Sequence, residues 1–381
     1  MEILERLSLF SDEMDLEADS ERECKPTIQG KELEEIPITE ATLPNGKRIK
    51  LLKTMLTSAC ENNCFYCPFR AGRDMKRASF TPDELAQTFM RLFTAKAVEG
   101  LFLSSGIINS GIRIQDKIID TAELLRNKYK FRGYMHVKIM PGAEKDQVFQ
   151  AMQLASRVSV NLEAPNTHRL NLLAPRKVFI NELLQPLKWV NDIRTNYSPH
   201  KTWNGLWPSS ATQFVVGAVG ESDLELITTS EQLLNQIGLK RIYYSRFNPI
   251  INTPLENHPP ENSWRQHRLY QSSYLLRDYG FCLEDLPFDQ NGNLPLDTDP
   301  KFEWAKKHLA ENPIELNQAD KEKLIKIPGI GHKNADTIIQ ARKHHKIRYS
   351  HQLRKMGIVT KRLAPFILLD GKKISHQLPL L

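Results

Sequence analysis

Three cysteines, Cys60, Cys64 and Cys67, stand as C-x3-C-x2-C within SACENNCFYCPFRAG. Thiolates so closely spaced are metal ligands or redox groups. Three of them leave a tetrahedral zinc site one ligand short, and no histidine or further cysteine stands nearby to complete it. They suffice for a [4Fe-4S] cluster whose last iron stays open to an outside ligand, unlike the four-cysteine sites of electron-transfer proteins. Cys24 and Cys282 are isolated, and each reads as a small apolar filler. A total of five cysteines, three of them crowded into one loop, does not suit a secreted disulfide framework and points to a reducing compartment.

A second stretch with chemical potential is LIKIPGIGHKNADTIIQAR at 324–342. An apolar helix end runs into the tight turn Ile327-Pro328-Gly329-Ile330-Gly331, and a new helix follows with Ala335, Ile338 and Ile339 on one face. The glycines let the backbone turn sharply, and the free N–H groups at the start of the next helix can hold a phosphate oxygen, with Lys333 as an adjacent cation. A degenerate second hairpin is expected around Lys355–Val359, followed by Ala364 and Ile367. Residues 301–381 hold 17 basic and 7 acidic side chains, a net of +10, whereas residues 1–50 hold 7 and 13, a net of −6. A polyanion partner or a merely solvated lysine-rich surface both suit the basic C-terminal fifth.

The elements that must position these groups follow from periodicity. Six apolar or alternating runs, at 51–58, 100–106, 134–140, 157–163, 211–220 and 241–247, read as strands. Helical patterns near 81–97, 113–128, 144–154, 177–195, 223–236 and 263–279 follow them in turn, the first with Thr81 as N-cap, Pro82 in the first turn and Glu84 at the capping-box position. The repeat predicts a parallel α/β sheet, doubly wound or curled into a barrel, spanning 50–285. The cysteines then lie just after the first strand, at the sheet edge where such folds build sites. Residues 1–49, with acids from Asp12 to Glu23, read as a short helix and a peripheral extension. Residues 286–312 read as a linker with a connecting helix, and 313–381 as a small, wholly helical domain.

The chain has 381 residues, 40% hydrophobic and 25% charged, enough for two to three domains of globular composition. No apolar run approaches the roughly 18 residues of a membrane span. The N-terminus lacks a basic head and a small-residue cleavage site, so a cytoplasmic location is expected.

The cysteine spacing, with Tyr66 before the last cysteine and six strand-helix units around it, resembles the radical S-adenosylmethionine (SAM) enzymes. The resemblance implies a partial (β/α)6 barrel over 50–285, and a [4Fe-4S] cluster on Cys60, Cys64 and Cys67. It also implies SAM chelated at the open iron, an electron donor such as flavodoxin or ferredoxin, and release of a 5′-deoxyadenosyl radical. It implies SAM contacts from Tyr66; from Ser104, Ser105 and Gly106, which replace the family's Gly-Gly-Glu; from Glu163; and from the glycine-containing strand end with Gly217 and Gly220. A serine-rich turn and a plain surface glutamate are the competing readings of the serines and of Glu163. Lys138, Arg169, Arg176 and Arg246 lie near strand ends and suit a carboxylate or phosphate, or are plain solvated cations. Trp203 and Trp207 suit base stacking or packing.

The C-terminal stretch is similar to the helix-hairpin-helix motif of DNA-binding proteins, which implies DNA contacts at Gly329, Gly331 and Lys333. Barrel and hairpin together resemble a bacterial radical SAM family of DNA modification or repair, whose members tend to be associated with a uracil-DNA-glycosylase-like protein. The expected function is radical SAM chemistry on DNA. A radical SAM enzyme of RNA, and a DNA-binding iron-sulfur redox sensor that is no enzyme, are the alternatives; only an enzyme needs to cleave SAM.

Overall fold

The computed structural model describes residues 3–10, 36–42 and 46–374; the acidic cluster Asp12–Glu23 and Cys24 lie outside them. Two compact units emerge, Met1–Glu221 with Gln232–Asn262, and Ser222–Glu231 with Ser263–Leu381.

The first unit is built on a curled seven-stranded half-barrel whose strands lie side by side in sequence order. They are β1 (Ile38–Thr42), β2 (Arg48–Met55), β3 (Gly100–Ser104), β4 (Tyr134–Lys138), β5 (Arg157–Ser159), β6 (Ser209–Val216) and β7 (Arg241–Arg246). Strands β2 to β7 are mutually parallel, as the six strand-helix repeats predict. The sheet is nevertheless mixed, because β1 pairs antiparallel with β2, from Ile38 opposite Leu52 to Thr42 opposite Arg48. That strand falls in the acidic extension. Its sequence, ITEAT, gains strand character only from the neighbour it pairs with.

Helix α1 (Ile3–Ser8) precedes the sheet. Crossover helices α2 (Pro82–Thr94), α3 (Gly111–Glu123), α4 (Lys145–Leu154) and α6 (Gln185–Asn196) pack beside one another, α3 ending in a wider turn at Leu124–Lys128. A short α5 (Thr167–Leu173) sits in the long connection after β5. The expected capping box opens α2: Thr81 Oγ1 accepts from the Glu84 amide and Glu84 Oε2 from the Thr81 amide. Arg6 of α1 pairs with Glu84 at 3.0 Å, stacks over Phe80 and donates to the Ser79 carbonyl at 2.8 Å, anchoring the N-terminal helix where the cysteine loop rejoins the fold. The strands are almost wholly buried, β3 along its entire length. The cysteine cavity described below sits at their C-terminal ends.

The second unit holds Ser222–Glu231 from helix α7 (Asp223–Gln236), then α8 (Ser263–Asp278), α9 (Pro300–His308), α10 (Lys321–Lys326), α11 (His332–His344), α12 (Ser350–Lys355) and α13 (Thr360–Leu363). A small sheet accompanies the helices: β8 (Ile314–Glu315) runs parallel to β9 (Ile367–Leu369), which pairs antiparallel with β10 (Lys372–Lys373). Residues 286–312 lie inside this unit: Lys301 Nζ donates to the Ile330 carbonyl at 2.7 Å, and Asp299 caps α9 while pairing with Arg362. No helix among the described residues is long and apolar enough to cross a membrane.

Candidate functional site

Between β2 and α2 the chain forms a long irregular loop, closed at its neck by hydrogen bonds between Ser58 and Ala78 and from the Phe80 amide to the Leu56 carbonyl. This loop carries Cys60, Cys64 and Cys67. Its approach to β3 depends on Gly106, whose amide donates to the Thr57 carbonyl at 2.7 Å. A Cβ at Gly106 would stand 2.2 Å from the Ala59 carbonyl oxygen, backbone that cannot step aside alone. Gly106→Ala is therefore expected to displace the cysteine loop, leaving a folded protein whose iron content after reconstitution falls severalfold. Full iron uptake by Gly106→Ala would show that the close approach is dispensable.

One cavity is lined by all three cysteines together with Tyr66, Ser104, Ser105 and Gly106, and, across from them, by Glu163 and Lys177. Gly217 and Gly220 do not line it. Cys64 is buried, and burial pushes the thiols of Cys64 and Cys67 above the ordinary range, outweighing the opposite pull of the Lys177 ammonium. Bound iron would reverse that preference.

Glu163 is no surface acid: it is 3% exposed and takes a left-handed backbone, φ +65°, that non-glycine residues rarely adopt. The strain is held by β6, since the Glu163 amide donates to the Gln213 carbonyl and its carbonyl accepts from the Val215 amide. Lys177 Nζ donates to Glu163 Oε1 at 2.8 Å, a pair almost entirely removed from solvent. Burial alone would raise the carboxyl's pKa, but Lys177 and Lys138 outweigh it and hold Glu163 below the ordinary range. Burial likewise opposes the ammonium of Lys177, but negative charge at Cys64 and Glu163 keeps it above the ordinary lysine range. The Tyr66 hydroxyl, its ionisation suppressed by burial and then by Glu163, lies against the same carboxylate.

Ser105 Oγ and Glu163 Oε2 are both buried at this cavity without a well-formed hydrogen bond. Unsatisfied buried polar atoms are costly unless a ligand or water completes them. The donor set thus suits the expected groups: three thiolates for three irons of a cluster, and two polar acceptors beside them for the ammonium or hydroxyls of a bound molecule. Among the described residues no three such side chains converge on one point, as ligands of a single ion would.

Of the other expected contacts, Lys138 alone lines this cavity. Gly217 and Gly220 both have positive φ, +87° and +70°, in a turn whose Gly217 and Val219 amides donate to the buried Glu221 carboxylate. The face of Gly217 is covered by the Glu261 side chain, which a Cβ there would overlap. Arg169 donates to the Val219 carbonyl and Arg176 to the Glu61 carbonyl, Arg246 is exposed, and Lys138 lines the cavity. Both tryptophans serve packing: Trp203 lies 3.8 Å beneath the Arg126 guanidinium and bonds the Ala155 carbonyl, and Trp207 packs edge-on to Phe149. Cys282 is exposed, its Sγ 3.4 Å from Asp285 Oδ2, and so is not an apolar filler.

In the second unit, α10 begins at Asp320, whose side chain accepts from the Lys323 amide, and runs through the Ile327–Gly331 turn into α11. Leu324, Ile327, Ile330, Ala335 and Ile338 form the buried side of this hairpin. Gly329 has φ +85°, and its bare face meets Arg362 and the Val359 carbonyl at 3.7 Å. Gly331 is different: it is extended, φ −104°, a conformation open to any residue, and a Cβ there would meet only the Tyr279 hydroxyl at 3.2 Å. The turn thus demands glycine at 329. The second hairpin is also present, as α12, a turn at Gly357 with φ +79°, and α13.

Residues 54–202 match the Radical SAM superfamily and residues 310–361 the helix-hairpin-helix motif. An uncharacterized protein of Methanocaldococcus jannaschii is 23% identical over 233 residues, 60% of this chain and 58% of that protein. Among solved structures, the FeFe-hydrogenase maturase HydG of Carboxydothermus hydrogenoformans is similar at 15% identity with a TM-score of 0.46, covering 60% of this chain and 51% of its own. Methylornithine synthase PylB is similar at 13% identity with a TM-score of 0.46, covering 60% and 61%. The chain therefore spans between about half and three fifths of these proteins' lengths. The superfamily match runs from β2 through the cysteine loop and Glu163 to Lys177 and beyond, so the matched segment contains most of the cavity wall. The chain therefore carries a radical SAM domain at residues 54–202 and a helix-hairpin-helix motif at residues 310–361.

Proposed function

We propose that this protein is a radical SAM enzyme that acts on DNA, in modification or repair, with a [4Fe-4S] cluster on Cys60, Cys64 and Cys67 and SAM beside it. The observation that carries the cofactor part is one cavity that gathers three thiols, the unpartnered Ser105 Oγ and the buried Glu163–Lys177 pair. Held on Cys60, Cys64 and Cys67, such a cluster would supply the electron for reductive cleavage of SAM, and SAM the 5′-deoxyadenosyl radical for hydrogen abstraction from a substrate. The chain's own part is to hold three thiolates in one loop, to orient Glu163 through Lys177, and to keep water away with buried strand ends. An electron donor of flavodoxin or ferredoxin type, and a cytoplasmic location, belong to the same reading.

The hairpin pairs a helix N-terminus with Lys333 in a region of net +10, which favours a nucleic-acid backbone, and the likeness to the helix-hairpin-helix motif of DNA-binding proteins favours DNA. Contacts of this kind hold phosphate and carry little base specificity. Binding is therefore expected to weaken steeply with salt. Lys333→Ala should lower the magnitude of the log-affinity against log-salt slope by about one unit, equally for two unrelated duplexes. Gly329→Val should cost more, because a β-branched residue in the left-handed region carries about 1–3 kcal/mol of strain. Titration of two duplexes at several salt concentrations checks both; a Lys333→Ala loss confined to one sequence, with an unchanged slope, would contradict the phosphate contact. Tighter binding of RNA than of DNA in the same titrations would move the substrate to RNA.

A further inference from the structure

The loop that carries the cysteines has almost no regular secondary structure between Met55 and Pro82, yet it must present three thiols to one cavity. Its carbonyls need donors, and one side chain supplies an unusual share of them. Arg77 Nη1 donates to the carbonyls of Ser58 at 2.6 Å and Phe69 at 2.8 Å, and Nη2 donates to those of Arg70 at 2.8 Å and Arg73 at 3.2 Å.

The placement of these four carbonyls matters more than their number. Ser58 lies two residues before Cys60, and Phe69 and Arg70 lie two and three residues after Cys67. A single nitrogen of Arg77 therefore ties the two ends of the cysteine segment to each other. Within the segment the tie is extended by hydrogen bonds from the Ala71 amide to the Asn62 carbonyl and from the Cys67 amide to the Cys64 carbonyl. The second guanidinium nitrogen, fixed in the same plane, reaches two further carbonyls; a lysine ammonium has three donors on one atom and cannot serve all four.

We propose that Arg77 is a positioning residue for the cluster: it closes the cysteine segment around its own guanidinium, so that the three thiols already face one cavity before iron arrives. This rests on the cluster reading above. Residues that orient metal ligands typically cost tenfold to a hundredfold in metal affinity when removed, and Arg77 acts in that sense through the backbone.

The test uses the full-length chain, reconstituted anaerobically, as wild type, Arg77→Met and Arg77→Lys. Iron release to a ferrous chelator is timed, the electron paramagnetic resonance of the reduced cluster is recorded with and without SAM, and thermal melting of the apo proteins is followed by circular dichroism. The expected result is iron loss at least about tenfold faster in Arg77→Met and intermediate in Arg77→Lys, with an altered SAM-dependent spectrum and melting of the apo forms close to wild type. Millimolar methylguanidinium should slow the loss from Arg77→Met but not from wild type. Release rates equal to wild type in both variants would overturn the proposal, as would failure of both to fold, which would make Arg77 a general folding residue. If wild type itself takes up no iron, the cluster reading fails instead.

Discussion

Cys60→Ala, Cys64→Ala and Cys67→Ala are each expected to lose SAM cleavage altogether, while Cys282→Ala retains it in full. Three thiolates are the minimum that leaves one iron of a [4Fe-4S] cluster open for chemistry, so a pair cannot hold the same site. All three line one cavity, whereas Cys282 is an exposed residue of the other compact unit. Alanine at these positions removes one sulfur and little else, so the proteins should fold. Iron and sulfide content, the 5′-deoxyadenosine formed on reduction with SAM, and circular dichroism separate loss of the cluster from loss of the fold. A Cys64→Ala protein with full iron content and full cleavage would contradict the assignment.

Lys177→Met is expected to have the next largest effect. It strips Glu163 of its 2.8 Å partner and leaves a carboxylate that is 3% exposed. Removing one member of a buried ion pair typically costs about 3–5 kcal/mol, because the other charge stays behind unpaired. The double variant Glu163→Gln with Lys177→Met should recover part of that stability, since the carboxylate is gone although the Lys138 ammonium stays, yet bind SAM no better than Lys177→Met alone. Denaturant melts and SAM-binding calorimetry on the single and double variants measure the two effects independently. Wild-type stability and SAM affinity in Lys177→Met would show that the pair does not organise the site.

What could be read from the sequence was what is local. Six strands are visible because each is an apolar or alternating run, and the cysteine spacing and the Thr81–Glu84 capping box lie within a few residues of chain. Strand β1 escaped because ITEAT is an unremarkable polar alternation in an acidic stretch, and only pairing with β2 makes it a strand. Lys177 looks like any lysine near a helix start; its meaning comes from Glu163, fourteen residues earlier, to which it donates. Arg77 is equally silent, since nothing in a lone arginine announces four backbone carbonyls. The hairpin glycines show the same limit: Pro-Gly-Ile-Gly marks a turn, but which glycine takes positive φ depends on how the second hairpin packs against it.

The most direct test of the account is to incubate the anaerobically reconstituted 381-residue protein with SAM, a reductant and duplex DNA, undamaged or carrying lesions. Mass spectrometry then follows both 5′-deoxyadenosine and the nucleosides recovered from the DNA. The account predicts 5′-deoxyadenosine together with a new DNA-derived product, formed in step with it and absent from Cys64→Ala. A wild-type protein that binds iron and DNA but yields no 5′-deoxyadenosine under reduction would contradict it.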